Sequence, residues 1–491
     1  MMAIGMTLNI VGHGVPDLPN WLRHLESLHP KTIDLGLDRV VEVKQRLNLN
    51  PPFPIITVAG TNGKGSTCAM LEAILLAAGY RIGLYTSPHL LRYNERVRIN
   101  GFEASDEALC EAFAAVEQAR GEVSLTYFEF GTLAAVWLFV RAGLSAVILE
   151  VGLGGRLDAV NAFDADCAVL TSVDFDHMDY LGDSRLAIGY EKAGIFRAGK
   201  PAVCGEFDVP YSVLAHAEKI GADLRRIGSD FGYDGLGACR TYGDRSENSA
   251  GRGQILPVLQ VNSRSIGQKS GEIWTAQVDS QPIHHESDRL LKPNQWRFTS
   301  VDGLRLSLPY PAMRGTYQLG NASTCLAALE QLGARLPVSH DDIRRGLLAA
   351  VVPGRFQVLP GRPQRIFDVA HNPHAARALA ENLRAMPPTG KTFAVFAMLR
   401  DKDIAGVVRA MKEQVDRWLV AGIGQPRGAS AEEMLRILEQ EGLAQRAEAF
   451  PSVAEAYRHA CAKAVEDDKI LIFGSFYTVA EAMTLADSQV E

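Results

Sequence analysis

The sequence predicts an α/β protein: a P-loop-type ATPase domain on a mainly parallel sheet, followed by a smaller Rossmann-like C-terminal α/β domain. Three observations carry this. Short β-rich apolar runs alternate with helical stretches from residue 53 to residue 205. A glycine turn, GTNGKGS at 60–66, follows the first run directly. The alternation then resumes after a proline- and glycine-rich segment near residue 354.

PIITVAG (54–60) is an uninterrupted apolar run of strand length, and STCAMLEAILLAAG (66–79) reads as a helix closed by glycine. RIGLYTS (81–87), SAVILEVG (145–152) and CAVLTSV (167–173) are further strands, each with polar residues straight after its apolar run. In open α/β sheets ligands bind there, at the carboxyl ends of the strands. The stretch 233–295 is rich in Gly, Ser, Gln, Asn and Arg, lacks a sustained period, and reads as a flexible insertion. Strand character returns at 295–311, and GNASTCLAALEQLG (320–333) reads as a helix with Asn321 at its start. VVPGRFQVLPGRPQ (351–364) holds three prolines and two glycines, which marks a hinge over 354–364. RIFDVA (365–370), TFAVFAM (392–398), RWLVAGI (417–423) and KILIFGS (469–475) are buried strands between helical patterns. The expected division is one domain over 1–353 and a second over 365–491.

At 491 residues the chain is too long for one compact core. Its hydrophobic fraction of 47% and charged fraction of 22% are those of an ordinary globular protein. A net charge of −7 supplies no general basic field, so no nucleic-acid partner is expected. The first 21 residues lack a basic start and are interrupted by glycines and a proline, unlike a signal peptide. No apolar run approaches the roughly 20 residues that span a bilayer, so a cytoplasmic protein with no membrane partner is expected. Seven cysteines without C-x-x-C spacing argue against a disulfide framework or a structural zinc site.

The turn at 60–66 can wrap phosphate with backbone N–H groups because side chains are absent, and the following helix adds its unpaired donors. Lys64 would neutralise phosphate charge, and the Ser66 hydroxyl could contact phosphate or magnesium. The spacing departs from the strict G-x-x-x-x-G-K-[ST] loop. Ser87, Glu150 and His177 end neighbouring strands; a carboxylate, a hydroxyl and phosphate oxygens suit magnesium, with His177 the less typical ligand. Taken singly, Ser87 also reads as a turn cap and His177 as a hydrogen-bonded structural histidine. Asp174, Asp176 and Asp179 around it read equally as solvated loop residues.

TVAGTNGKGST (57–67), YTSPHL (85–90), RYNERVRING (92–101) and EVGLGGRLDAVN (150–161) together resemble the Mur ligase superfamily. Within it the match is to folylpolyglutamate synthase/dihydrofolate synthase. KTIDLGLDRV (31–40), TYFEFGTLAA (126–135), DHMDYLG (176–182), EKAGIF (191–196), PGRFQ (353–357) and DVAHNPHAA (368–376) agree, in fixed order along nearly the whole chain.

By this resemblance Thr61, Asn62, Gly63, Lys64, Gly65 and Ser66 hold the ATP phosphates, and Ser87, Glu150 and His177 bind magnesium. Lys192 matches the lysine that the superfamily carbamylates to position a second magnesium, although sequence alone reads it as a surface lysine. Asn321, Arg355 and Asp368 match nucleotide contacts, with His371 contacting nucleotide or glutamate. The pterin substrate falls to Lys31, Thr32, Ile33 and Asp34, to Thr126, Tyr127, Phe128 and Glu129, and to Leu157, Asp158 and Ala159. By periodicity alone, Tyr127 and Phe128 are core residues. A monovalent cation is a further cofactor the resemblance allows, and it favours a monomer.

The implied reaction is ATP-dependent ligation of L-glutamate to dihydropteroate, and to the γ-carboxylate of reduced folates, through an acyl phosphate. Three rivals stand beside it. A monofunctional folylpolyglutamate synthase would accept only folates. A cell-wall Mur ligase would need a nucleotide-sugar domain ahead of the loop, where only about fifty residues stand. A nucleotide-dependent switch would form ADP indifferently to glutamate.

Overall fold

The computed structural model describes residues 17–31, 33–235, 295–387 and 390–487. Thr32 and the bulk of the expected insertion, 236–294, lie outside them.

Eight strands form the larger sheet: β1 (Ile55–Ala59), β2 (Ile82–Tyr85), β3 (Val97–Ile99), β4 (Phe102–Glu103), β5 (Ala146–Glu150), β6 (Cys167–Leu170), β7 (Pro201–Cys204) and β8 (Asp223–Arg226). Their spatial order is β4-β3-β2-β5-β1-β6-β7-β8, with β1 flanked by β5 and β6 in parallel register. Only the β3 and β4 edge runs antiparallel. Because successive side chains alternate, β1 feeds both faces: Ile55 and Ala59 enter one apolar cluster, Ile56 and Val58 the other. A strand covered on both faces must be apolar throughout, which explains its continuous run.

Helix Lys64–Ala77 packs on one face beside helices Tyr317–Gln331 and His340–Ala349. The close approach is made at Gly346, where an added Cβ would lie 2.5 Å from the Ile74 Cα. The helix beginning at Asp106 and the helix Tyr127–Arg141 cover the other face. A three-stranded antiparallel sheet, β9 (Phe231–Gly235), β10 (Gln295–Ser300) and β11 (Arg305–Pro309), caps this domain. The two ends of the expected insertion are therefore paired strands, with Trp296 opposite Gly235.

The second sheet holds β12 (Gln357–Leu359), β13 (Gln364–Asp368), β14 (Thr392–Phe396), β15 (Arg417–Ala421), β16 (Ala447–Phe450) and β17 (Lys469–Phe473). Its order is β12-β13-β17-β14-β15-β16, parallel except for β12, with an apolar cluster on each face. This corrects the hinge expected over 354–364: β12 lies inside it as the edge strand of the second sheet. Among the described residues no helix is long and apolar enough to cross a membrane.

Gly346→Val would push helix His340–Ala349 off the backbone of the helix that carries the phosphate turn. The expected loss is about 1–3 kcal/mol, read as a lower midpoint in chemical denaturation with an unchanged slope.

Candidate active site

Strand β1 ends at Ala59, and the 60–63 turn leaves it between two close neighbours. A Cβ on Gly60 would lie 1.9 Å from Thr171 Oγ1, and one on Gly63 would lie 2.5 Å from Asn321 Oδ1. Gly63 has φ +86°, a left-handed conformation that glycine adopts without strain. It caps helix Lys64–Ala77 with no side chain, which leaves the first N–H groups of the helix for an anion. The turn is pinned from behind. The Asn62 N–H donates to Ser172 Oγ at 2.9 Å, Thr171 Oγ1 donates to Asn62 O at 2.6 Å, and Thr61 Oγ1 donates to Asp174 O at 3.0 Å. Lys64 folds back, its Nζ donating to Gly60 O at 2.9 Å and to Thr61 O at 3.3 Å.

Glu150 ends β5 beside this turn, 3% exposed, and accepts the Ser87 N–H at 3.1 Å. Burial pushes its carboxyl up, against the pull of Lys64 and that N–H. A buried carboxylate with a neighbouring serine and space for phosphate oxygens fits an oxygen-ligated divalent cation. His177 fits less directly. Its pKa is lowered to about 4 by burial, so it is neutral, but Nε2 lies 3.4 Å from the Lys402 Nζ. Among the described residues no group of three or more His, Cys, Asp or Glu side chains gathers as a metal site.

The second domain closes directly over the turn. Asn62 Nδ2 donates to Asn372 Oδ1 at 3.3 Å and approaches His374 Nδ1 at 2.9 Å, while Asn372 Nδ2 returns a bond to Asn62 Oδ1 at 3.2 Å. Asp176 meets Lys402 at 2.6 Å, with side chains 10% and 7% exposed, and His371 Nε2 lies 3.6 Å away. Burial alone would raise the Asp176 carboxyl, but the hydrogen bond and charge of His371, with His177 and Lys402, hold it far below the usual carboxylate range. Asp176 is thus the joint between the domains and no solvated loop residue.

A cavity of about 440 Å³ runs from the turn to the opposite wall. It brings together Thr61, Asn62, Gly63, Lys64, Ser87, Glu150, His177 and Lys192 with Ile33, Asp34, Thr126, Phe128, Glu129, Leu157, Asp158 and Ala159. Arg355 and His371 line its other side. Lys192 is 4% exposed, so the surface reading is wrong; burial first, and then the charge of Lys64, lowers its pKa to about 7. Asp158 accepts N–H groups from Leu153 and Val160, both at 2.9 Å, yet burial raises its carboxyl to about 7.

Among the described residues, six expected ones do not line the cavity. Lys31 is exposed and pairs with Asp34 at 3.1 Å. Tyr127 turns away onto Tyr93, ring centroids 5.8 Å apart, while Phe128 faces inward over Gly152. Neighbouring helical residues point about 100° apart, so only one of the two rings can enter. Gly65 lies over the Glu150 carboxylate, and Ser66 is buried with its hydroxyl accepting from Gln318 Nε2 at 3.3 Å. Asn321 lies a turn inside helix Tyr317–Gln331, not at its start, and buttresses Gly63. Asp368 is buried and accepts the backbone N–H groups of Phe356 and Ala370, both at 2.8 Å, so it fixes the connection between the domains. Glu129 lines the cavity but is committed. It holds Arg39 at 2.9 Å and the Thr126 N–H at 2.7 Å, closing a capping box.

The Mur ligase middle-domain family model matches residues 58–233, and the Mur ligase glutamate ligase domain matches residues 354–476. The dihydrofolate synthase/folylpolyglutamate synthase of Escherichia coli (strain K12) is 44% identical over 473 residues, covering 96% of both chains. The chain belongs to the Mur ligase superfamily, in its dihydrofolate synthase/folylpolyglutamate synthase family. The solved Escherichia coli enzyme in complex with DHPP and ADP is 44% identical, with a TM-score of 0.81 over 97% of this chain and 99% of that one. A solved bifunctional folylpolyglutamate synthase/dihydrofolate synthase with Mn, AMPPNP and L-glutamate bound is 43% identical, with a TM-score of 0.79 over 96% of this chain and 100% of that one.

Sequence reasoning missed four residues of this ligase-family site: Arg39, Arg96, Lys402 and Asn372. Arg39, Arg96 and Asn372 stand inside the segments that carried the resemblance; Arg39 and Asn372 meet Glu129 and Asn62 far along the chain, whereas Arg96 meets the nearby His89, and Lys402 stands in none of those segments. Asp176→Ala removes the carboxylate that Lys402 and His371 share. The expected outcome is a larger radius of gyration in small-angle scattering and a turnover loss of about 10- to 100-fold. Unchanged scattering and turnover would deny Asp176 its joining role.

Proposed function

We propose that this chain ligates L-glutamate to dihydropteroate and to the γ-carboxylate of reduced folates, consuming ATP through an acyl phosphate. The carrying observation is that the phosphate turn and the wall of Phe128 and Asp158 open into one cavity closed by the second domain. The Phe128 ring offers a face for a flat bicyclic ring, and Asp158 an acceptor for its N–H edge. The ATP phosphates lie in the 60–63 turn and on the free N–H groups of helix Lys64–Ala77, where Lys64 exchanges its backbone carbonyls for phosphate oxygens.

A carboxylate is a poor acyl donor because oxide leaves badly, so it must first be activated. One carboxylate oxygen attacks the γ-phosphorus, and ADP departs. The glutamate amine then attacks the acyl carbon, loses its proton, and releases inorganic phosphate. Lys64 neutralises charge on the transferring group, which is positioning and electrostatics rather than covalent chemistry. Glu150 and Ser87 would hold magnesium, which supplies further charge neutralisation at the phosphates. Asn62, Asn372 and Asp176 hold the domains together and exclude water from the acyl phosphate.

Burial beside Lys64 and a lowered pKa support carbamylation of Lys192. Its neutral amine adds CO2, forms an N–C bond and releases a proton, giving an anionic oxygen group fitted to a second magnesium. The reactive form is the unprotonated one, which dominates above a pKa of about 7. We place the enzyme in the cytosol with its ATP, as a monomer in keeping with the family resemblance.

Lys64→Ala is expected to cut glutamate-dependent ADP release by at least about 10²–10³-fold while the circular dichroism spectrum is kept. A variant with normal turnover would remove the loop from the chemistry. Bicarbonate should stimulate CO2-depleted enzyme, more at pH 8 than at pH 6, and Lys192→Met should abolish that response. Supplying dihydropteroate and tetrahydrofolate separately distinguishes the bifunctional from the monofunctional enzyme: amide product on both acceptors supports the former.

A further inference from the structure

Arg96 lines the same cavity and has no part in the chemistry described so far. Its Nε–H donates to His89 Nδ1 at 2.8 Å. Its guanidinium lies over the Tyr93 ring at 5.4 Å and the Tyr127 ring at 5.5 Å. These rings pack edge to face, and His89 rests on Tyr93 at 5.9 Å. Arginine only donates, so the Nδ1 of His89 must present its lone pair. The side chain is therefore held in one orientation, and among the described residues it forms no ion pair. An oriented guanidinium in a cavity without a carboxylate partner is a receptor for a planar anion, because its fork matches a carboxylate.

Its supports fix where that anion lies. His89 belongs to the turn that carries Ser87 beside Glu150, and Tyr127 directly precedes Phe128 on the pterin wall. Arg96 thus stands at the seam between the phosphate side and the ring side. The acceptor carboxylate must cross that seam to meet the γ-phosphate. We propose that the Arg96 guanidinium binds the acceptor carboxylate and turns one of its oxygens toward the phosphoryl donor, with His89 as the residue that positions it. This rests on the ligase reading.

The test compares two ligands, dihydropteroate and the analogue in which aniline replaces the aminobenzoate, so that only the carboxylate is missing. Their affinities are measured by calorimetry in the presence of ADP, whose own binding reports an intact fold. Wild type is expected to prefer the carboxylate ligand by about 10- to 100-fold. Arg96→Gln should bind both ligands alike, and Arg96→Lys should recover only part of the preference, since a point charge lacks the fork. His89→Ala should lose part of the preference, raising the KM for dihydropteroate more than the KM for ATP. An Arg96→Gln protein that keeps the full preference overturns this proposal alone. A wild-type protein that binds neither pteridine overturns the ligase reading with it.

Discussion

The structure depends on a place where side chains do not fit. At Gly60 the backbone passes so close to Thr171, and at Gly63 so close to Asn321, that a single added carbon would overlap them. That proximity lets bare N–H groups face a bound anion at a helix start, and it ties the turn to β6 and to helix Tyr317–Gln331 together. Asn62 extends the tie to the second domain through Asn372. The phosphate site, the sheet and the closure between domains are therefore one connected contact set, and loosening any part moves the reacting groups.

The charge pattern follows from the same closure. The protein is acidic overall, yet its cavity sets Lys64, Lys192, Arg96, Arg355, Lys402 and Arg427 against Asp34, Glu129, Glu150, Asp158 and Asp176. Of these, Asp176 is committed to Lys402 and Glu129 to Arg39, while Glu150 keeps a single backbone partner. Because Asp176 and Glu129 are already paired, the remaining basic side chains meet anionic substrates in a low-dielectric space where each charge acts more strongly than in water. Net charge reports on nucleic-acid and membrane partners, but it says little about a local field of this kind.

Much of this was legible in order along the chain. The 60–66 turn and Glu150 are local features, a glycine motif after an apolar run and a carboxylate ending another, whereas Phe128 reads as core by periodicity and only the family resemblance marks it. The hidden part is what folding brings together. Lys402 and Asp176 meet across the domain boundary, so the loop aspartate that looked solvated is a buried joint. Lys192 looked like a surface lysine because one helical stretch does not reveal what covers it. Asp368 reads as a nucleotide contact until β12 is seen folding back, with its preceding Phe356 N–H bound to that carboxylate. Asn321 fell at a helix start only because the pattern hid one earlier turn, which begins at Tyr317.

The most direct check on the account follows an oxygen atom. Dihydropteroate carrying oxygen-18 in its carboxylate, incubated with the enzyme, ATP, magnesium and L-glutamate, should yield inorganic phosphate containing one labelled oxygen for each amide formed. Amide accompanied by unlabelled phosphate would mean that the carboxylate never accepted a phosphoryl group, and that the cavity activates its substrate by another route.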